Sequence, residues 1–153
     1  MNLKSVALLA LLGFSPAVNA AEPPQVGPFA TGQLNTVTNK FFSGKSYLQS
    51  LNSQEVRVSN VTFEPGCRNN WHIHHKSGQI LLVTGGEGFY QEWGKPAQRL
   101  KAGDSVYIAP GVKHWHGATA KSWFAHVALN VPVEGSRAEW LEPVSDADYA
   151  KIQ

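Results

Sequence analysis

The sequence predicts a single all-β domain, and three observations support that prediction. The chain has 153 residues, the length of one ordinary domain rather than two. Hydrophobic residues make up 42% of it, enough to bury a core and to argue against disorder throughout. Fourteen glycines and nine prolines are spread along it. They divide the chain into short β-prone segments, which favours a barrel or a sandwich over a helix bundle.

The charge and the cysteine content of the chain argue against some classes of function. The chain has 13 basic and 11 acidic residues, for a formal net charge of +2. This balance, without a basic run, argues against a nucleic-acid partner. Cys67 is the single cysteine in the sequence, which excludes an internal disulfide and a cysteine-based metal cluster.

Residues 1–20 are predicted to be a secretory signal peptide. Lys4 gives a positive start, and the apolar run from Val6 to Phe14 is too short to cross a bilayer. Val18-Asn19-Ala20 has the small-residue pattern of a cleavage site. We therefore expect cleavage after Ala20 and a secreted or periplasmic protein with no membrane association after cleavage. The alternative interpretation is an N-terminal membrane anchor or a buried helix.

The mature chain is predicted to comprise a flexible lead-in at residues 21–33, rich in proline and glycine, and one domain at residues 34–153. Trp140–Val144 is a candidate for an additional strand, and Ser145 followed by Asp148 resembles a helix start, which predicts a short terminal helix at Ser145–Ile152. The strands predicted from β-prone runs between turn signals are Lys45–Leu51, Val56–Phe63, Asn70–His74, Gln79–Thr84, Gly88–Glu92, Gln98–Leu100, Ser105–Ile108, Lys113–Gly117 and Ser122–Asn130.

Histidines carry the chemical signal of this sequence. All six lie between residues 72 and 126: His72, His74, His75, His114, His116 and His126. Because side chains alternate along a strand, His72 and His74 face the same way, and His114 and His116 repeat the spacing. Gln79 heads the next predicted strand. Three imidazoles and one amide oxygen could therefore converge inside a barrel, and imidazole suits Mn, Fe, Ni, Cu or Zn.

The spacing of these residues resembles the two motifs of the cupin family. In the first motif, Gln79 stands where the family usually has a glutamate. In the second, the proline sits one place later than usual, and Ala118 stands where the family often has an asparagine. The matching positions are Gly66, His72, His74, Gln79 and Gly86, then Gly103-Asp104, Pro110-Gly111 and His114. The resemblance implies a double-stranded β-helix, or jelly-roll, barrel, but cupins host many reactions.

A narrower resemblance is to the small bacterial cupins with manganese-dependent (R)-hydroxynitrile lyase activity. That group is often labelled as related to carboxymuconolactone decarboxylase. This sequence departs from it by one extra residue between His74 and Gln79 and by the added His75. The segments that carry the likeness are Val61-Thr62-Phe63-Glu64-Pro65-Gly66, Trp71-His72, Gly78-Gln79, Lys113-His114-Trp115-His116-Gly117 and Trp140 through Glu142.

The narrower resemblance implies roles for individual residues. It makes His126 a candidate proton acceptor, with His116 nearby, and it places three residues in the wall of the substrate pocket: Ser59, Val61 and Asn130. The implied metal is Mn(II), with Fe(II), Ni(II) or Zn(II) as the other candidates. The implied metal ligands are His72, His74, Gln79 and His114.

The amide ligand has a chemical consequence. A neutral Gln79 leaves the full charge on a divalent ion, which makes the ion a stronger Lewis acid and disfavours ferric iron. We therefore expect an exported, metal-dependent lyase that cleaves a cyanohydrin into an aldehyde and cyanide, or acts on a related small carbonyl or aromatic substrate. A mostly apolar pocket would suit such a substrate.

Two alternatives remain open at this point. One is a metal-dependent dioxygenase or isomerase that acts on an aromatic compound. The other is a non-catalytic cupin that binds a small molecule or a metal. The resemblance and the tryptophan-rich, strand-rich sequence also predict a homo-oligomer, a dimer or a tetramer.

Overall fold

The structure, a computed structural model, describes residues 22–153, so the predicted signal peptide lies outside the described residues. No helix in that part of the chain is long and apolar enough to span a membrane. The strands are β1 Gln33–Leu34, β2 Phe42–Ser43, β3 Ser46–Asn52, β4 Val58–Phe63, β5 Arg68–Asn69, β6 His72–His75, β7 Gln79–Glu92, β8 Gln98–Lys101, β9 Ser105–Ile108, β10 Lys113–Ala118, β11 Phe124–Asn130 and β12 Arg137–Trp140. A 3-10 turn at Asn39–Phe41 precedes β2, and the helix α1 spans Asp146–Ala150.

The strands form one antiparallel sheet that curls around a core, and β7 joins its two halves. The first part of β7 pairs with β11 and β9, and the second part pairs with β10 and β8. The main path of the sheet runs β1-β3-β4-β11-β7-β10-β5-β2, and β6 lies between β10 and β12. Gly86, at φ +69°, lies where β7 passes from one half to the other, and a Cβ there would lie 1.8 Å from the Trp123 carbonyl oxygen. The predicted all-β barrel is confirmed.

Two apolar clusters hold this barrel together. The interior cluster includes Phe63, Leu81, Leu100 and Phe124, all of them fully buried. They lie inside because alternate positions of each strand face the same way. The second cluster lies between the sheet and the C-terminal segment and comprises Trp71, Phe89, Trp115, Val144 and Tyr149.

Arg68 attaches the C-terminal segment to the barrel. Its guanidinium lies 4.3 Å from the ring centre of Tyr149 and donates a 3.0 Å hydrogen bond to the Val144 carbonyl. Ser145 caps α1 by accepting from the Asp148 N–H at 3.0 Å. The predicted helix start at Ser145 is therefore confirmed, although α1 is shorter than the predicted Ser145–Ile152.

Most predicted strands match the structure within a few residues, and the differences have simple causes. Gln79–Thr84 and Gly88–Glu92 are one continuous strand, because the Gly85-Gly86 pair stays within β7 instead of ending it. The candidate strand at Trp140–Val144 lies earlier, at Arg137–Trp140, where it pairs with β6. The two-residue strands β1, β2 and β5 were not predicted, since so short a segment carries no alternating pattern.

Residues 22–33 pack against several strands of the sheet, with Gly27 against Thr84 of β7 and Gly32 against Leu48 of β3. Thr31 is buried and donates to the Pro24 carbonyl at 2.7 Å. The amide of Asn60 donates to the Ala30 carbonyl at 3.1 Å. β1 begins at Gln33, one residue before the predicted start of the domain. The division of the chain into leader, lead-in and domain stays a prediction.

Candidate active site

Three histidine side chains meet inside the barrel. His72 and His74 lie on β6 and His114 lies on β10, where His114 is paired directly with His72. One ring nitrogen of each histidine lies within 4.8 Å of those of the other two. All three are buried. The structure thus brings together three of the four predicted metal ligands, and these histidines could bind a metal ion.

Backbone carbonyls fix the orientation of two of these rings. His72 Nδ1 lies 2.9 Å from the Asn70 carbonyl oxygen, and His114 Nδ1 lies 2.9 Å from the Val112 carbonyl oxygen. A carbonyl can only accept, so each Nδ1 carries the proton and each Nε2 keeps its lone pair. Such outer contacts are typical of metal-binding histidines.

Buried polar atoms without hydrogen-bond partners show whether a cation would fit between these side chains. His74 Nε2, His114 Nε2 and Gln79 Oε1 are buried and have no hydrogen-bond partner among the described residues. Buried polar atoms are almost always paired because their desolvation is costly. Three neutral imidazoles with a carboxamide nearby suit a divalent ion, and the donor set does not fix which one.

Gln79 reaches this region despite the extra residue that precedes it. The loop turns at Lys76, which adopts φ +65°, and Ser77 ties the loop down by donating to the Val131 carbonyl at 2.6 Å. Gln79 then starts β7 as a buried side chain next to His74. The added His75 contacts Glu139 on β12 and stands apart from the histidine cluster.

Burial keeps the cluster neutral. Desolvation lowers the pKa of His114 to about 4, and it lowers the pKa of His72 and of His74 below the usual value. Gln79 offsets part of this effect at His74. Because a protonated imidazole cannot bind a metal, these low pKa values leave the ring nitrogens available at neutral pH.

Strand β12 supports the ligand strand from outside the cluster. Trp140 is paired with His72 across β12 and β6, and their ring centres lie 4.7 Å apart. Trp140 also stacks on the ring of Phe41, with the two ring centres 4.8 Å apart and the ring planes nearly parallel. These contacts restrict the ring of His72, so Trp140 helps to orient a candidate ligand.

A pair of buried histidines, His116 and His126, lies beside the cluster of three. His116 Nδ1 and His126 Nε2 are 3.1 Å apart, and the ring of Phe63 lies 5.6 Å from each of them. The ring centres of His116 and His72 are also 5.6 Å apart. Burial lowers the pKa of His126 to about 3 and that of His116 well below its usual value. Both rings are therefore neutral at neutral pH.

Asn69 contacts this pair and was not predicted. It is buried on β5, and its side chain accepts from the backbone N–H of His116 at 2.9 Å and approaches the ring of the same residue. The sequence signal for Asn69 is its position three residues before His72, which does not indicate a contact with residue 116.

A cavity of about 660 Å³ opens beside His74 and Asn130. It is largely polar, unlike the mostly apolar pocket that would suit an aromatic substrate. Of the three predicted pocket residues, Asn130 lines this cavity, whereas Val61 lies in the barrel core and Ser59 is half-buried on β4. The lining residues are Glu55, Arg57, His74, Ser77, Asn130, Val131, Pro132, Val133, Glu134, Ser136, Arg137 and Ala138.

The curled sheet and the inward histidines on β6 and β10 define the class of protein. A cupin domain model matches residues 59–127. The chain is also 41% identical over 96 residues to an (R)-mandelonitrile lyase from Granulicella tundricola, which covers 63% of this chain and 72% of that protein. The chain belongs to the cupin family. Within that family it is most like the small cupins of the hydroxynitrile lyase type.

Solved structures agree with this assignment. A cupin-like protein from Thermotoga maritima is 42% identical, with a TM-score of 0.75, over 81% of this chain and 95% of that one. A predicted oxalate decarboxylase from Thermotoga maritima has a TM-score of 0.61 over 71% of this chain and all of that one. At 21% identity, the second likeness shows the fold alone.

Acid should destabilise this protein through His126. Its pKa is about 3 in the folded chain and about 6.5 in an unfolded one. Between these values the unfolded chain binds a proton that the folded chain does not, so stability falls as the pH falls from about 6.5 to about 3. Urea denaturation of metal-free protein across this range measures how the free energy of unfolding depends on pH. The dependence should be shallower for His126→Gln than for the wild-type protein, by about one proton per molecule.

Val127→Ala provides the control for this experiment. Val127 is the buried neighbour of His126 on β11, and its loss should lower stability without changing the number of protons taken up on unfolding. An unchanged pH dependence in His126→Gln would show that the folded protein tolerates a charge at this position.

Proposed function

We propose that this protein is a metal-dependent lyase of the hydroxynitrile lyase type. Its reaction would convert a cyanohydrin into an aldehyde and cyanide, or act on a related small carbonyl or aromatic compound. The observation that supports the proposal is the cluster of His72, His74 and His114, which is buried and includes ring nitrogens without hydrogen-bond partners among the described residues. The neutral pair of His116 and His126 lies beside it. The likeness to an (R)-mandelonitrile lyase supports the reaction type.

The residues that would hold the metal are His72, His74, His114 and Gln79. A bound divalent ion, for which Mn(II) is our first candidate, would supply Lewis acidity, undiminished because all four donors are neutral. The chain prepares for it by keeping the Nδ1 protons of His72 and His114 on backbone carbonyls. Fe(II), Ni(II) and Zn(II) remain the other candidates.

His126 and His116 are the residues that we propose to handle the substrate's proton. Both rings are buried and uncharged, and the 3.1 Å hydrogen bond between them lets a charge that develops on one ring be shared with the other. Phe63 covers both rings and helps to exclude water from them. Such a pair can exchange a proton with a substrate because both rings are neutral at neutral pH.

The substrate would enter through the cavity beside His74. Its polar lining, which includes Arg57, Arg137 and Asn130, favours a small polar carbonyl compound as a second candidate beside aromatic cyanohydrins. We further propose that the protein is exported to the periplasm or beyond after removal of residues 1–20. There it would work as a homo-oligomer on a small molecule rather than on nucleic acid.

The test is a cyanide-release assay with mandelonitrile and with small aliphatic cyanohydrins. Activity should disappear after treatment with a chelator and return with Mn(II). His126→Ala should lose at least about 100-fold in turnover, the usual contribution of a proton-transferring residue, while it keeps its metal. His75→Ala removes a histidine that stands outside the cluster and should stay active.

Two results would contradict the proposal. The first is an absence of cyanide release from every cyanohydrin by fully metal-loaded protein. The second is full activity of the chelated protein, which would separate the reaction from the histidine cluster. Oxygen consumption with aromatic compounds would instead favour the dioxygenase alternative, and tight binding without turnover would favour the non-catalytic one.

A further inference from the structure

Arg57 lies at the open end of the barrel, at an inward-facing position. Val61 and Phe63 of β4 belong to the interior cluster, and side chains alternate along a strand. The same alternation, followed back along the chain, puts Ser59 and then Arg57 on the inward face. Arg57 comes directly before β4 and lines the cavity beside His74.

The register of the sheet places two predicted site residues next to Arg57. Leu129 of β11 is paired with Val58, so the following residue, Asn130, lies beside Arg57. Asn130 is in turn paired with Gln79 of β7. Arg57, Asn130 and Gln79 therefore lie on three neighbouring strands at the same end of the barrel, the end at which the cavity opens.

Among the described residues, no carboxylate forms an ion pair with Arg57. Glu55 and Glu134 also line the cavity, but both are exposed and lie outside the strands. Arg137 lines it too, but its partner across β12 and β6 is His75, which stands apart from the histidine cluster. Arg57 is therefore the cation whose position on the sheet directs it toward a ligand in the cavity.

The chemistry of these groups suits a ligand with a carboxylate. A guanidinium presents a planar set of donors that matches a carboxylate, and it stays charged at neutral pH. The amide of Asn130 can donate beside it. His74, with a buried Nε2 that lacks a partner among the described residues, lines the same cavity. Its volume of about 660 Å³ is ample for a small aromatic compound.

We propose that Arg57 is a specificity-determining residue that binds a carboxylate of the substrate, at the end opposite the reacting carbon. The inference rests on the proposed function and narrows its substrate class to cyanohydrins and carbonyl compounds that carry a carboxylate. The carboxylate would accept from Arg57 and from the amide of Asn130, while the reacting carbon would face the histidine cluster. No bond is made or broken at Arg57.

Calorimetric titration of the full chain as purified tests this inference with two probes of the same shape, 4-formylbenzoate and 4-formylbenzamide. The wild-type protein should bind the carboxylate at least about fivefold more tightly than the amide, as a partly exposed ion pair allows. Arg57→Gln should bind the two probes equally. Arg57→Lys keeps the charge but loses the planar set of donors, so its preference should be intermediate.

Arg99→Gln is the matched control, because Arg99 is an exposed arginine of β8 that pairs with Glu87 away from the cavity. It should keep the wild-type preference. Chelated protein that circular dichroism shows to be folded should also keep it, since Arg57 and not a metal ion binds the carboxylate. Three results would overturn the inference: no detectable binding of 4-formylbenzoate, a preference that survives Arg57→Gln, and a preference that chelation abolishes.

Cyanide release separates this inference from the proposed function. Wild-type protein should cleave the cyanohydrin of 4-formylbenzoate with a higher kcat/KM than mandelonitrile, and Arg57→Gln should remove the difference mainly through KM. If the carboxylate probe binds through Arg57 and no cyanohydrin is cleaved, the role of Arg57 stands and the lyase activity fails. If mandelonitrile is cleaved and the carboxylate brings no gain that depends on Arg57, the activity stands and the inference fails.

Discussion

His114→Ala should reduce the affinity for a divalent metal ion by more than about 100-fold. Loss of an outer contact to a metal ligand alone costs about 10- to 100-fold, and this change removes a ligand itself. His114 is fully buried, and its free Nε2 lies with the nitrogens of His72 and His74. Mn(II) and Zn(II) titrations by calorimetry, with elemental analysis after gel filtration, measure the effect.

The control variant for this prediction is His75→Ala. His75 lies on the same strand as His72 and His74 but contacts Glu139 on β12 instead of the cluster. Its removal should leave the bound metal content unchanged. Denaturation curves should show that His114→Ala remains folded. Metal retention by folded His114→Ala, or equal losses in the two variants, would place the ion somewhere else.

The barrel could be predicted because its strands carry alternating patterns between clear turns. The prediction failed where the pattern was interrupted or too short. The Gly85-Gly86 pair resembles a turn, yet it lies within β7 because both glycines pair with β11 and β10 pairs with the strand from Gly88 onward. Arg68 and Asn69 form a strand that only its pairing with β2 and β10 defines. Such long-range pairing is not visible in a local window.

The site shows the same division between local and long-range information. The spacing of His72 and His74 on one strand, and of His114 and His116 on another, already predicted which rings face inward. The contact of Asn69 with His116 joins residues 47 positions apart and needed the structure. The polar cavity lining also escaped prediction, since its charged side chains, among them Arg57, Glu134 and Arg137, come from segments far apart in the sequence that only the fold brings together.

Phe63→Ala should destabilise the protein by about 3–5 kcal/mol, the usual cost of removing a fully buried phenylalanine. Phe63 is completely buried and contacts Phe124 and both rings of the His116–His126 pair. The loss combines the transfer of the ring to water with the cavity that remains. Urea denaturation at neutral pH, with and without Mn(II), measures the free energy of unfolding.

Phe29→Ala is the matched control, because Phe29 is about one-third exposed and lies in the segment before β1. It should cost less than about 1 kcal/mol, since little apolar area leaves the core. Phe63→Ala should also let water reach His116 and His126, and their ring nitrogens should then exchange protons faster with solvent. A loss of stability comparable to that of Phe29→Ala would mean that Phe63 does not pack the interior around the histidine pair. In that case the neutrality of the pair, which the proposed chemistry requires, would need another origin.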